Sequence, residues 1–149
     1  MKIHILSIGK CKNQSIKELS DQLARRIRKF DLIFYELKAH GDQIKKEQDE
    51  IDQKIKELHF TGKIFLMTEW GHSYSTMEFK NQIENSYQSG QSLLFILGGA
   101  SGFDKDFRQR FKNQFSLSKM TFPHETARYL LIEQIYRSQA IMDNHPYHK

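Results

Sequence analysis

Ser92-Leu93-Leu94-Phe95-Ile96-Leu97-Gly98-Gly99-Ala100-Ser101-Gly102 is the stretch whose reading decides the fold. Five apolar residues in a row describe a strand covered on both faces, as in a parallel sheet between helix layers. The glycines end that strand abruptly. At the carboxyl end of a buried strand they let backbone come close to a ligand, and in open α/β sheets ligands sit at that end. The pattern fits neither G-x-x-x-x-G-K-[ST] nor G-x-G-x-x-G, so a ligand here meets backbone and apolar walls rather than a phosphate cradle.

Working outward, Ile64-Phe65-Leu66-Met67 is a second uninterrupted apolar run, with Thr68 to Ser73 read as a loop. Ser75 and Glu78 form a capping box for a helix reaching about Tyr87, which Gly90 ends. Ile3-His4-Ile5-Leu6-Ser7-Ile8 and Leu32 to Leu37 are further strands. Between them Ile16, Leu19, Leu23, Ile27 and Phe30 recur at helical spacing, and Ser15 with Glu18 predicts the helix start. Gln43 to Glu57 reads as a charged surface helix. On the other side, Asp104 caps a short helix over 103–111, and Phe115 to Phe122 alternates like a fifth strand. Pro123 suits the first turn of a long last helix. Strands alternate with helices throughout, which predicts one α/β domain over residues 1–149 with a largely parallel sheet flanked by helices.

The 149 residues are enough to bury a core without disulfides or metals. One cysteine, Cys11, excludes an internal disulfide and a multi-cysteine metal site. Mean hydropathy is -0.66 and no apolar run approaches a bilayer span. Met1-Lys2-Ile3-His4-Ile5-Leu6 enters a strand pattern without a signal peptide's apolar stretch, so a cytoplasmic protein without membrane contact is expected. The net charge of +5 permits an acidic partner without demanding one. It divides into +3 over residues 1–60 and +2 over 61–149, so there is no basic tail.

Three further segments carry residue types suited to chemistry. Leu117-Ser118-Lys119-Met120-Thr121-Phe122-Pro123-His124 places small polar residues before a helix, where backbone groups are free to bond a ligand. Asn144-His145-Pro146-Tyr147-His148 offers proton transfer and stacking on a nucleobase. Arg137 suits a phosphate or carboxylate, with Glu133 one turn earlier to orient it or pair with it. His145 and His148 lack an evident third ligand for a metal, and none is expected.

Leu97-Gly98-Gly99-Ala100-Ser101-Gly102, the 117–124 segment, Glu133-Gln134-Ile135-Tyr136-Arg137 and the terminal Asn-His-Pro-Tyr-His follow one another in an order and spacing that resemble the bacterial ribosomal large-subunit methyltransferase H family, of the SPOUT class. The resemblance covers the whole chain. It implies S-adenosylmethionine as methyl donor and N3 of a pseudouridine in helix 69 of 23S rRNA as target, on the assembled 70S ribosome. It also implies a homodimer and a C-terminal trefoil knot. Carried over by motif, the cofactor contacts fall on Met67, Gly98, Leu117, Ser118, Lys119, Met120, Thr121 and Phe122, and the catalytic roles on His148, Tyr147 and Arg137. Between the family's glycines Pro and Glu are usual; here Ala100 and Ser101 stand there. The competing readings are a non-catalytic ribosome- or RNA-binding factor, a SPOUT enzyme acting on another RNA, and a metal-dependent hydrolase using His124, His145 and His148.

Overall fold

The computed structural model describes the backbone of residues 1–148 and the side chains of residues 1–147. Five strands, β1 (Lys2–Ile8), β2 (Asp31–Leu37), β3 (Lys63–Ser73), β4 (Leu93–Leu97) and β5 (Asn113–Ser116), form one sheet in the order β2-β1-β4-β3-β5. All four pairings are parallel. The helices are α1 (Gln14–Arg26), α2 (Ile44–Glu57), α3 (Thr76–Gln88), α4 (Lys105–Gln109) and α5 (His124–Met142), followed by a 3-10 turn at Pro146–His148.

The alternation of side chains along each strand builds two cores. Ile3, Ile5, Phe65, Leu93 and Phe95 face one way and pack with Leu23, Phe79, Ile83, Leu131 and Ile135 of α1, α3 and α5. Leu6, Ile8, Leu66, Leu94 and Ile96 face the other way, against Ile51 of α2 and Phe107 of α4. Every residue of β4 is buried, and each such aliphatic side chain contributes about 1.5–3 kcal/mol through burial.

The caps follow the residue chemistry with one correction. Ser75 and Glu78 form both arms of the capping box, and Asp104 caps α4 by accepting from the Phe107 amide at 2.8 Å. At α1 the cap is Asn13, not Ser15: Asn13 Oδ1 accepts from Ile16 N at 3.1 Å, and Glu18 takes the Gln14 side-chain amide instead. Helix α2 begins without a side-chain cap, and its charged stretch is less superficial than its composition suggests, since Glu47 and Gln48 are buried. Gln48 donates to Asp104 Oδ2 at 2.7 Å and accepts from Asp104 N at 3.0 Å, so α2 holds the start of α4.

Two strand boundaries differ from expectation. The segment 68–73 is not a loop: β3 runs on to Ser73, with a register shift between Met67 and His72, both opposite Phe115. Gly71 makes this possible, because a Cβ there would lie 2.5 Å from Phe115 N. Conversely β5 ends at Ser116. Ser116 Oγ donates to Ser118 O at 2.7 Å and Ser118 Oγ accepts from Met120 N at 3.0 Å. These local bonds turn the backbone out of the ladder that alternation alone would continue.

Glu125, in the first turn of α5, ties that helix to the loop after β1. Its carboxylate accepts from Lys12 N at 2.7 Å and Asn13 N at 3.1 Å. The Lys12 amide is the main reason its pKa lies below the usual glutamate range. A depressed folded-state pKa means the clamp stabilises fully above that range and is lost as pH falls through and below it. Urea unfolding at a series of pH values should therefore show Glu125→Gln less stable than wild type at neutral pH, with the gap closing in acid. In the same assay Gly71→Ala should lose about 1–3 kcal/mol, because backbone rather than a movable side chain meets the new methyl.

Candidate active site

The loops leaving the carboxyl ends of β3, β4 and β5 enclose a cavity of about 620 Å³ together with the start of α5. That volume suits a small-molecule or cofactor ligand. Its walls are Met67 to Trp70, Leu97 to Phe103, Phe115 to Ser118, Met120 to His124, and Ala127.

Each wall has a separate local cause. Met67 and Leu97 are opposite one another at the ends of paired strands, and both are buried. Gly98 and Gly99 carry the chain off β4. A Cβ on Gly99 would meet Glu47 Oε2 at 2.8 Å, and one on Gly98 would meet Phe103 Cζ at 3.0 Å. Glu47 is 3% exposed, and its Oε1 accepts from His40 N at 2.7 Å, so α2 backs the glycine turn from behind. Between Ser118 and Phe122 no backbone N–H reaches a backbone carbonyl among the described residues. Met120 N is taken by Ser118 Oγ and Ser118 O by Ser116 Oγ, which leaves the Thr121 and Phe122 amides free to hydrogen-bond a ligand between apolar walls.

Seven of the eight expected cofactor residues meet here: Met67, Gly98, Leu117, Ser118, Met120, Thr121 and Phe122 all line the cavity. Lys119 is exposed and lies on the same segment but outside the wall. Sequence reasoning missed Thr68, Glu69, Trp70, Phe103, Phe115 and Ala127 as wall residues. The exposed aromatic Trp70, so close after a buried strand, was the available signal.

Arg137 and Tyr147 form a second cluster. Arg137 donates to Glu133 Oε1 through Nε at 3.0 Å and a terminal nitrogen at 2.6 Å. Tyr147 donates its hydroxyl to the same oxygen at 3.3 Å. The guanidinium lies 4.9 Å from the Tyr147 ring centroid, and Tyr136 meets that ring edge-on at 4.7 Å. The Glu133 hydrogen bond raises the Arg137 pKa further, so the cation is permanent. Burial first, and Glu133 second, push the Tyr147 phenol up, which keeps it a neutral hydrogen-bond donor near pH 7. The side chain of His148 lies outside the described residues.

Within one chain the two groups do not meet. Arg137 follows the cavity residue Ala127 by ten positions on α5, roughly 15 Å along the axis. Helix α5 likewise separates His124 from His145, at its two ends, by roughly 27 Å of helix, which disfavours a shared metal site. Among the described residues no three His, Cys, Asp or Glu side chains are grouped to hold a metal, and no helix is long and apolar enough to cross a membrane.

Known proteins bear on this geometry. The family described as "Predicted SPOUT methyltransferase" matches residues 1–148. A protein of Acholeplasma laidlawii named ribosomal RNA large subunit methyltransferase H is 35% identical over 150 residues, covering 100% of both chains. One of the same name from Flavobacterium psychrophilum is 35% identical over 158 residues, covering 99% of each. Among solved structures, a methylase family protein from Neisseria gonorrhoeae shares the fold with a TM-score of 0.55 at 7% identity, over 91% of this chain and 81% of that one. Full-length agreement with a family whose sequence segments converge on this cavity leaves one conclusion: the chain belongs to the SPOUT methyltransferases.

Proposed function

We propose that this protein is an S-adenosylmethionine-dependent methyltransferase that methylates N3 of a pseudouridine in helix 69 of 23S rRNA, on the assembled 70S ribosome in the cytoplasm. The observation that carries the reading is the cavity, which the 98–99 turn and the irregular 118–122 segment, with its free Thr121 and Phe122 amides, line together with apolar walls. The residues fit the cofactor: free backbone groups suit the polar edges of adenosine and methionine, and Met67, Leu97 and Leu117 suit the flat base. When bound, it supplies a methyl group already activated on a sulfonium, so the protein's task is to position and deprotonate.

The tail residues serve the acceptor. His148 takes the N3 proton or orients the base, since neutral imidazole acts near neutral pH. Holding the deprotonated N3 toward the cavity is this chain's contribution, and the bound cofactor would supply the methyl group there. Arg137, held in place by Glu133, steadies a phosphate or the base's developing oxyanion. Tyr147, a neutral donor, bonds or stacks on the target base.

The distance between cavity and tail supports a homodimer in which the tail of one subunit completes the cavity of the other. A dimer also sets two surfaces of +5 side by side, which helps a domain of evenly spread charge to hold RNA through its phosphates. The full-length family match supports the C-terminal trefoil knot as well.

Labelled S-adenosylmethionine with 70S ribosomes or free 23S rRNA from cells lacking this activity should place label on helix 69 of the ribosome. Label on tRNA, or none, overturns the reading. His148→Ala should lower turnover about 10²-fold or more while cofactor affinity by calorimetry stays nearly unchanged. Unchanged turnover removes His148 from the mechanism. Mixed dimers of a tail-deleted chain and a cavity-wall mutant should recover activity that neither homodimer has. Absence of rescue refutes the shared site.

A further inference from the structure

Trp70 is the chain's one tryptophan and is 70% exposed. It stands on the extension of β3 past Met67, at the edge of the cavity. On its other side it lines a smaller recess of about 210 Å³ with Lys105, Arg108, Gln109 and Gln114. The Arg108 guanidinium lies 5.3 Å from the indole centroid.

Neither Lys105 nor Arg108 has a carboxylate within 4 Å among the described residues, and Arg108 Nε is enclosed without a hydrogen-bond partner. Of the two acids that flank Lys105 in sequence, Asp104 is committed to the Phe107 amide and to Gln48, and Asp106 makes no ion pair with either cation. Arg110 differs: it is spent on a two-pronged pair with Asp52 at 2.9 and 2.8 Å. Two uncommitted cations beside an exposed indole, sharing a rim with the cavity, match one chemistry. A nucleobase has a face for the indole, and its phosphate has charge for the cations.

We propose that Trp70, Lys105 and Arg108 form a subsite for one unpaired RNA nucleotide that flanks the methylated one. The base stacks on the indole, and Lys105 and Arg108 hold its phosphate. This rests on the reading that the substrate is RNA, and it adds a nucleotide-positioning role to Trp70, at the rim of the cavity wall, and to Lys105 and Arg108, outside the wall and the tail.

Because Trp70 is the sole tryptophan, its fluorescence reports on the subsite directly. The full-length protein is saturated with S-adenosylhomocysteine, so that cavity filling contributes no further change, and titrated with a short RNA hairpin carrying an unpaired loop. Quenching of Trp70 along the binding curve is expected, as is free quenching by acrylamide before RNA is added. Trp70→Ala should weaken hairpin binding about 5- to 150-fold. Lys105→Ala and Arg108→Ala should each lower the slope of log affinity against log salt by about 0.7, with cofactor affinity by calorimetry unchanged. Binding without quenching, an indole already shielded by the second subunit, or unchanged affinity and slope in both cation variants overturns the subsite. Methyl transfer to 70S ribosomes separates the two readings. A KM raised in Lys105→Ala and Arg108→Ala supports the subsite; transfer at wild-type KM in both sinks it alone. No transfer to any RNA by the wild type sinks the function and the subsite together.

Discussion

The parallel pairing of β4 between β1 and β3 constrains everything else in this molecule. Leu93 to Leu97 are each 2% exposed or less, with partners in register on both sides and helices over both faces. A strand so enclosed has no route except out of its carboxyl end. Parallel neighbours discharge at that same edge, so the loops after β3, β4 and β5 converge there. The cavity is the space they leave, so segments far apart in sequence share its walls.

Around that constraint, polar groups in unexpected places set the shape. Gly99 leaves room for the buried carboxylate of Glu47, and Gln48 reaches across to hold the amide and carboxylate of Asp104. A helix of mostly charged residues thereby fixes both ends of the turn after β4. On the other wall, two serine hydroxyls take the hydrogen bonds that would have extended β5, and the backbone they turn aside lines the cavity. Glu125 anchors the near end of α5 to the loop after β1, while Glu133 organises Arg137 and Tyr147 farther along the same helix. One helix thus carries two polar clusters too far apart to act on a single small ligand within one chain.

Much of this was legible in the residues themselves. Apolar runs of four to six residues, ended by glycine or polar segments, located the strands, and helical spacing located the helices between them. Such signals are local, since burial on both faces demands unbroken apolarity and a helix start demands a side-chain acceptor. The glycine turn, the 117–122 segment and the tail were visible for the same reason, as residue types that neither a core nor a solvated surface requires.

What the residues alone could not specify depended on partners distant in the chain. Ser15 and Asn13 are both competent caps, and only the path of the loop, with Glu125 holding Lys12 and Asn13, decided between them. Alternation from Phe115 to Phe122 promised a strand, but a ladder needs a neighbour, and β3 pairs with β5 only as far as Ser116. Glu47 looked solvated until the fold placed Gly99 against it. The sequence by itself determined the element types and the residues capable of chemistry, because propensity and burial act over a few neighbours. The tertiary structure decided which of them share a cavity, because that depends on which strand ends the sheet order brings to one edge.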